Sequence, residues 1–288
     1  MKRSEHFRGI VIKRLKQAIT NWLNHEHPRS ELPPVNFSQL LADIRPGDVV
    51  LVEGRTRISE VIRVITQSRW THSALFIGAP ATYYGTPLYE QLMRYWSGSP
   101  QAPLVLEGLL GQGTVLNPLE QYAGDNLRIC RPKGITKDDT QRVIQYAVDA
   151  LGTEYDFRQL LDLARFLLPW ALVPRRWRST LFEVHAGKHT KTVCSTLIAS
   201  AFSAVRFPIL PHIFKANDGS IRLKARNPKL YTPADFDYSP YFEVLKFPPL
   251  PMTQVGLYSE LPWEDGVVLD PDNTTPRTDE REKSEDST

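Results

Sequence analysis

A histidine and a cysteine far apart in the chain each have the local setting of a group in a thiol-based catalytic site. His72 lies in the apolar segment 69–78, which has the composition of a strand and ends in glycine. Cys194 opens the apolar segment 194–205, which predicts a buried helix. The positive end of a helix dipole favours the thiolate form of a cysteine at the N-terminus. Since an imidazole can accept the thiol proton and return it to a leaving group, the pair predicts cysteine-dependent acyl transfer.

An imidazole base needs a third group that holds its tautomer, and Glu107 is the best candidate. It follows the apolar residues 104–106, where an unpaired carboxylate would be costly. A carboxylate that accepts the far N–H of His72 would orient the ring and stabilise the imidazolium. The competing interpretation places Glu107 at the end of a strand, turned to solvent.

Two other sets of residues were weighed for chemistry. His185 and His189 have the i, i+4 spacing of some helical zinc sites, but Gly187 weakens a helix there and no glutamate follows the first histidine. Their loop-like setting also makes them weaker candidates for the base than His72. Cys130 is interpreted as a small, half-buried hydrophobe at a strand end. We therefore predict no metal and no cofactor.

Composition excludes several classes of protein. The chain has 288 residues, 41% of them hydrophobic, which is ample for a core, and a net charge of +3, which is too small to indicate nucleic-acid binding. Two cysteines make no disulfide framework and fit a reducing compartment. The sequence has no secretory signal and no run of about 20 apolar residues that could span a bilayer. We expect a cytoplasmic protein, with peripheral contact at the inner face of the membrane left open.

Two segments could meet an anionic membrane. Residues 8–23 predict an amphipathic helix, which either packs on the domain or lies on the bilayer surface. Residues 160–178 are strongly apolar and end in three arginines, which fits either a lid that touches lipid or a buried helical hairpin broken at Pro169 and Pro174. Beyond residue 263 the chain is polar and acidic and is predicted to be disordered.

The remaining pattern predicts a mostly antiparallel sheet, because several strands follow one another with little helix between them. Residues 83–99 and 210–237 are expected to be largely loop. A helix is predicted from Thr136, its N-cap, to a stop at Gly152. The other predicted helix is 58–66. The predicted strands are 49–54, 69–78, 104–108, 115–116, 126–131 and 242–246.

The order of these segments resembles the circularly permuted branch of the NlpC-type papain-like superfamily, and in particular the YiiX-like proteins. The resemblance covers residues 44–206, and the histidine strand precedes the cysteine helix, as in the lecithin:retinol acyltransferase-like enzymes. The matching motifs are Gly-Asp-Val-Val-Leu-Val at 47–52, Trp-Thr-His-Ser-Ala-Leu-Phe-Ile-Gly at 70–78, Val-Leu-Glu-Gly at 105–108, Gly-Thr-Glu-Tyr-Asp-Phe at 152–157 and Val-Cys-Ser-Thr-Leu-Ile at 193–198.

The resemblance implies an α+β papain-like fold, with the cysteine helix packed on an antiparallel, barrel-like sheet. By position, it implies that Cys194 is the nucleophile, His72 the general base and Glu107 the orienting acid. The expected organisation is an N-terminal helix and loop at 1–36, a catalytic domain at 37–250 with a helical insertion at about 158–190, and a tail at 251–288. The connection between Tyr155 and Cys194 is longer than expected for compact members.

The predicted function is that of a cysteine-dependent hydrolase or acyltransferase that works through a thioacyl intermediate. Its substrate is expected to be a small peptide, an amide or a lipid-like molecule, since members of the superfamily are linked to peptide, amide and acyl chemistry alike. The rival prediction is an inert module on the same scaffold that binds a lipid or a partner helix. A thiol pKa near the ordinary value of about 8.5 would favour this inert module.

Overall fold

A computed structural model describes residues 25, 35–109, 111–153, 194–251 and 257–263 of the chain. The predicted helix at 8–23, the insertion at 158–190 with His185 and His189, and the tail beyond residue 263 lie outside the described residues. The chain divides into two compact units, Met1–Pro249 and Leu250–Thr288. The second unit includes a 3₁₀ turn at Leu257–Glu260.

An antiparallel sheet organises the first unit. Its six strands lie in the order β4-β3-β2-β1-β5-β8, and β6 and β7 form a separate two-stranded sheet. The sheet is open, with β4 and β8 at its edges, so among the described residues the expected barrel is only a loose description. The strands are β1 Val49–Val52, β2 His72–Gly78, β3 Leu104–Leu109, β4 Gly113–Pro118, β5 Leu127–Pro132, β6 His212–Lys215, β7 Ile221–Lys224 and β8 Phe242–Leu245.

Six α-helices are described, and side-chain caps fix where four of them begin. Each of the four capping residues accepts a hydrogen bond from a backbone N–H in the first turn, which satisfies a donor that has no partner inside the helix. The caps are Asn36, Thr56, Thr86 and Thr136. The helices are α1 Phe37–Asp43, α2 Arg57–Thr66, α3 Pro87–Tyr95, α4 Lys137–Asp149, α5 Cys194–Ala204 and α6 Ala234–Tyr238.

Each face of the sheet is covered by its own apolar layer. Because side chains alternate along a strand, Leu75 and Leu106 lie in one layer, together with residues of α4 and α5. Ala74 and Val105 lie in the other layer, with Leu40 of α1. The helix that begins at Cys194 is therefore packed on one face of the sheet, as the sequence predicts. None of the described helices is long and apolar enough to cross a bilayer.

Two segments predicted as loop contain regular structure. Residues 83–99 include α3, which begins at the Thr86 cap with a proline in its first turn and buries Leu92. Residues 210–237 include the β6–β7 hairpin, a 3₁₀ turn at Pro228–Leu230 and α6. The prediction was wrong because α3 is short and tyrosine-rich. In the hairpin, all strand residues are exposed, so no hydrophobic alternation marks it.

A buried ion pair joins α1, β1 and β5. The carboxylate of Asp48, directly before β1, accepts hydrogen bonds from Nε and Nη2 of Arg131 and, at 2.9 Å, from the backbone N–H of Arg45. Arg131 Nη2 also donates to the carbonyl oxygen of Asp43, 2.6 Å away. Burial raises the pKa of Asp48, and Arg131 opposes that effect. This pair fixes the entry to the central strand of the sheet.

Replacing Arg131 by alanine should destabilise the protein by about 3 kcal/mol, since it leaves the Asp48 carboxylate buried without its partner. Chemical denaturation measures the change in the free energy of unfolding. Arg142 is the matched control, because its pair with Asp139 on α4 is exposed and its loss should cost at most about 0.5 kcal/mol. Equal effects of the two substitutions would contradict this account.

Candidate active site

The start of β2 places His72 and Ser73 on opposite sides of the sheet. Ser73 alternates with Ala74 and shares the face of Leu75, which packs against α5. His72 shares the face of Ala74. Since His72 is the first residue of β2, its ring lies at the end of the strand and contacts groups from both sides.

Strand register brings Glu107 to His72. Leu75 pairs with Leu106 across β2 and β3, so Glu107 lies one step further, across from Ala74 and diagonal to His72 on the same face. On its other side, Glu107 pairs with Val115 of β4, which makes Asn117 its diagonal neighbour there. The carboxylate therefore has a polar side chain beside it on each adjacent strand.

Four donors saturate the buried carboxylate of Glu107. Its Oε1 accepts hydrogen bonds from Asn117 Nδ2 and Gln121 Nε2, both at 2.9 Å. Its Oε2 accepts from the Tyr122 hydroxyl at 2.5 Å and from His72 Nε2. Gln121 and Tyr122 belong to the 3₁₀ turn Leu119–Tyr122 that follows β4. Glu107 lies inside β3 and is fully buried, so the interpretation that turned it to solvent is wrong.

These donors decide the charge of Glu107. Burial alone would raise its pKa, because it disfavours the carboxylate. The hydrogen bond and the positive charge of His72, together with the hydrogen bonds of Tyr122 and Asn117, outweigh burial and lower the pKa. The group is therefore an anion at neutral pH.

Cys194 reaches the opposite side of the same imidazole. It is the first residue of α5, is buried, and its thiol hydrogen-bonds to the His72 side chain. Since Nε2 of His72 is bonded to Glu107, Nδ1 is the ring nitrogen that faces the sulfur. The structure thus brings together all three residues that the sequence nominated, in the order sulfur, ring and carboxylate.

The charges of the thiol and the imidazole support each other. Burial would raise the pKa of Cys194, but the charge of His72 and its hydrogen bond, with smaller effects from Ser73, lower it. Burial would likewise lower the pKa of His72, but Cys194 and Glu107 raise it to about 10. Each group therefore favours the charged form of the other: His72 favours the Cys194 thiolate, and Cys194 favours the His72 imidazolium.

Ser73 is a further polar group in the site to which sequence analysis gave no role. Its side chain is fully buried, and its Oγ makes no hydrogen bond of normal geometry with the described residues. It lies against the Cys194 sulfur, where its backbone N–H and its hydroxyl both lower the pKa of the thiol. The position of Ser73 next to His72 could have predicted this role. Neighbouring residues of a strand point to opposite faces of the sheet, so Ser73 points towards the face on which the cysteine helix packs.

The donors around Glu107 were also missed. Asn117, Gln121 and Tyr122 have no shared sequence motif, and only the β3–β4 register and the 3₁₀ turn bring them to one carboxylate. Tyr122 also lies beside the ring of His72, with 6.3 Å between the ring centroids. Burial of Glu107 was foreseeable from its apolar neighbours, whereas the identity of its partners required the fold.

The second cysteine has the opposite environment. Cys130, on β5, packs as a small hydrophobe among core residues, but it is fully buried and not half-buried as the sequence analysis expects. Burial is the main cause that raises the pKa of its thiol. Among the residues that the structure describes, no group of three or more His, Cys, Asp or Glu side chains is placed to hold a metal ion.

Comparison with known proteins finds a matching family model and similar solved structures. Residues 43–165 match the model of a family described as permuted papain-like amidase enzymes, YaeF/YiiX, C92 family. That range includes His72 and Glu107 and ends before Cys194. The crystal structure of the metalloprotein yiiX from Escherichia coli O157:H7 is 14% identical, with a TM-score of 0.42, over 70% of this chain and 97% of that chain. No curated protein matches the chain.

Iodoacetamide should alkylate Cys194 rapidly at neutral pH. Because its pKa is depressed, the thiolate persists as the pH falls and is lost only below the ordinary value of about 8.5. The second-order rate constant, followed by mass spectrometry across a pH series, should therefore reach half of its alkaline plateau at a lower pH than that of an ordinary thiol. In His72→Ala, the pH midpoint of the alkylation rate constant should move back towards the ordinary thiol value. Cys130→Ala is the control and should label like the wild type; labelling that disappears in that variant would overturn the assignment.

Proposed function

We propose that this chain, which matches the model of the permuted papain-like amidase family over residues 43–165, cleaves amide bonds with Cys194 as its nucleophile. The family match confirms the predicted YiiX-like resemblance and its α+β fold, and an amidase family supports a cysteine hydrolase. The proposal assigns His72 as general acid and base and Glu107 as the group that orients the ring. The observation that supports it most is the lowered pKa of a thiol paired with an imidazole that a buried carboxylate holds in place.

In the first half of the proposed reaction, the Cys194 thiolate attacks the amide carbonyl carbon. The carbonyl electron pair moves to oxygen, which becomes an oxyanion, and returns when the C–N bond breaks. The His72 imidazolium gives its Nδ1 proton to the departing amine, so a neutral amine leaves and a thioester remains on Cys194. Glu107 stabilises the imidazolium before this transfer and keeps the ring facing the sulfur.

In the second half, neutral His72 takes a proton from water, and the resulting hydroxide attacks the thioester carbonyl. The C–S bond breaks, the acid is released, and the thiolate and imidazolium are restored. An amine or alcohol in place of water would make the same site an acyltransferase. The acceptor therefore decides between the two reactions, and both use the same three side chains.

Two further groups are assigned as hydrogen-bond donors, one to the oxyanion and one to the thiolate. The backbone N–H of Cys194 is at the start of α5, where the first four N–H groups have no partner inside the helix. It is the proposed donor to the oxyanion. The Ser73 hydroxyl, which lies against the sulfur, is the proposed donor that stabilises the thiolate between turnovers.

The alternative of an inert binding module fits the site less well. A buried thiol without a chemical role has a raised pKa, as Cys130 has. Cys194 is also buried, yet it has a lowered pKa because of His72. We therefore favour an amide or small peptide as substrate. The proposed membrane contacts at 8–23 and 160–178 lie outside the described residues.

Replacing Cys194 by alanine should abolish hydrolysis of a panel of fluorogenic acyl-aminocoumarin amides, since no other described side chain can form the thioester. Cys130→Ala should retain activity within about twofold, because that thiol lies in the core away from the imidazole. Acid-quenched reactions of the wild type should contain an acyl adduct on Cys194, detected by peptide mass spectrometry and removed by hydroxylamine. Turnover by Cys194→Ala would disprove the proposed mechanism.

Replacing Glu107 by glutamine should shift the alkaline limb of the pH–kcat profile. The wild-type limb should lie near pH 10, where His72 loses its proton. Because Glu107 raises that pKa, loss of its charge should move the limb down by about 1–2 units and lower kcat on the order of 100-fold. Glu120→Gln removes a charge from an exposed position on the neighbouring 3₁₀ turn and should move neither. Tyr122→Phe, which removes one donor to Glu107 and keeps the ring, is the second variant if Glu107→Gln does not fold; an unshifted limb in both would contradict the role.

A further inference from the structure

The β6–β7 hairpin is a separate element whose two faces are both exposed. All eight of its strand residues are exposed, and the two strands pair with each other outside the main sheet. Three large aliphatic side chains are among them: Ile213, Ile221 and Leu223 are 57%, 77% and 54% exposed. A two-stranded hairpin in water is only marginally stable. An exposed aliphatic surface of this kind indicates a binding partner.

Strand register collects these aliphatic side chains on one face. Ile213 lies opposite Leu223, and Lys215 lies opposite Ile221. Since residues two apart in a strand share a face, these four form an apolar face with one lysine at its side. The other face contains His212, Phe214, Arg222 and Lys224, of which three can carry positive charge.

The hairpin has a fixed base and an ordered tip. At its base, the buried Tyr231 hydroxyl exchanges 3.4 Å hydrogen bonds with the backbone of Leu210. At its tip, the Ala216 N–H donates to Ser220 over 2.8 Å, and Asp218 accepts from the Ser220 backbone and hydroxyl. Gly219 has a φ of +83°, which suits a glycine at the turn. The apolar face therefore lies on a hairpin whose base and tip are both held by hydrogen bonds.

The charge around the hairpin is mostly positive, although Asp235 pairs with Arg226 at 3.1 Å near its base. Residues 206–229 include six lysines and arginines and one acidic residue, a net charge of +5. The one acid, Asp218, is paired with Arg222 at 2.8 Å. No carboxylate of the described residues lies within ion-pair distance of Lys215 or Lys224. An aliphatic face bordered by unpaired cations is complementary to an anionic surface with an apolar interior.

We infer that the β6–β7 hairpin binds the surface of an anionic lipid bilayer. The side chains of Ile213, Ile221 and Leu223 enter the boundary between headgroups and acyl chains, and Lys215 on the same face lies at the level of the headgroup phosphates. Lys224, on the other face, is within a Debye length of the surface and is attracted by its negative potential. Flat aliphatic contact favours lipid over nucleic acid, which requires aromatic stacking or base-edge donors. Attachment through this hairpin is independent of the chemistry at Cys194.

Co-sedimentation of the full chain with vesicles of phosphatidylcholine and phosphatidylglycerol tests this inference. The wild type should pellet with the mixed vesicles at low salt and should be released from them by high salt. It should not pellet with vesicles of pure phosphatidylcholine. Lys215→Gln/Lys224→Gln should lower the partition coefficient about 30-fold, since each cation contributes about fivefold. Ile221→Ser/Leu223→Ser should also abolish pelleting. The matched controls are Arg94→Gln/Lys137→Gln and Val64→Ser, which change exposed charges and an exposed aliphatic residue elsewhere.

The outcomes separate this hairpin from other basic or apolar segments. Loss of binding in both hairpin variants, with controls that bind like the wild type, supports the inference. Circular dichroism and iodoacetamide labelling of Cys194 verify that the variants are folded. A wild type that does not pellet at low salt overturns the inference. Hairpin variants that pellet like the wild type also overturn it, because another segment would then bind the lipid.

Discussion

The hydrogen bonds that saturate Glu107 are the interaction on which the site depends. A carboxylate without partners in this position would be protonated, because burial disfavours its charge. The hydrogen bond and charge of His72, together with the hydrogen bonds of Tyr122 and Asn117, keep it ionised, and Gln121 donates to the same carboxylate. The resulting anion raises the pKa of the imidazole, and the imidazolium lowers the pKa of the Cys194 thiol. The charge on each of the three side chains is thus stabilised by the side chain next to it.

The register of the strands places Glu107 within hydrogen-bonding distance of His72 and Asn117. Glu107, His72 and Asn117 are diagonal neighbours on three adjacent strands and share one face. A slip of one residue in β3 would turn Glu107 into the apolar layer beneath α4 and α5. It would also remove the acceptor from Asn117. The apolar alternation that packs Leu106 on one face and Val105 on the other therefore also places the carboxylate. The core and the site impose the same register.

Sequence reasoning succeeded where the pattern was local. The strands around His72 and Glu107 are largely buried on both faces, so their bounds were predicted within three residues at each end. It failed at α3 and at the β6–β7 hairpin, because α3 is short and the hairpin lacks a buried face. The partners of Glu107 could not be identified from spacing, since Asn117 and Tyr122 meet it only through register and a 3₁₀ turn. A single charged residue in an apolar strand predicts that partners exist without naming them.

The two cysteines isolate the effect of environment on a thiol. Cys130 and Cys194 are both buried, so burial disfavours the thiolate in both. Their pKa values nevertheless move in opposite directions, because only Cys194 has an imidazolium in contact with its sulfur. Sequence context distinguished them through their elements: a strand end for Cys130 and a helix start for Cys194. Burial of a cysteine therefore says little about its reactivity until the charges that face its sulfur are known.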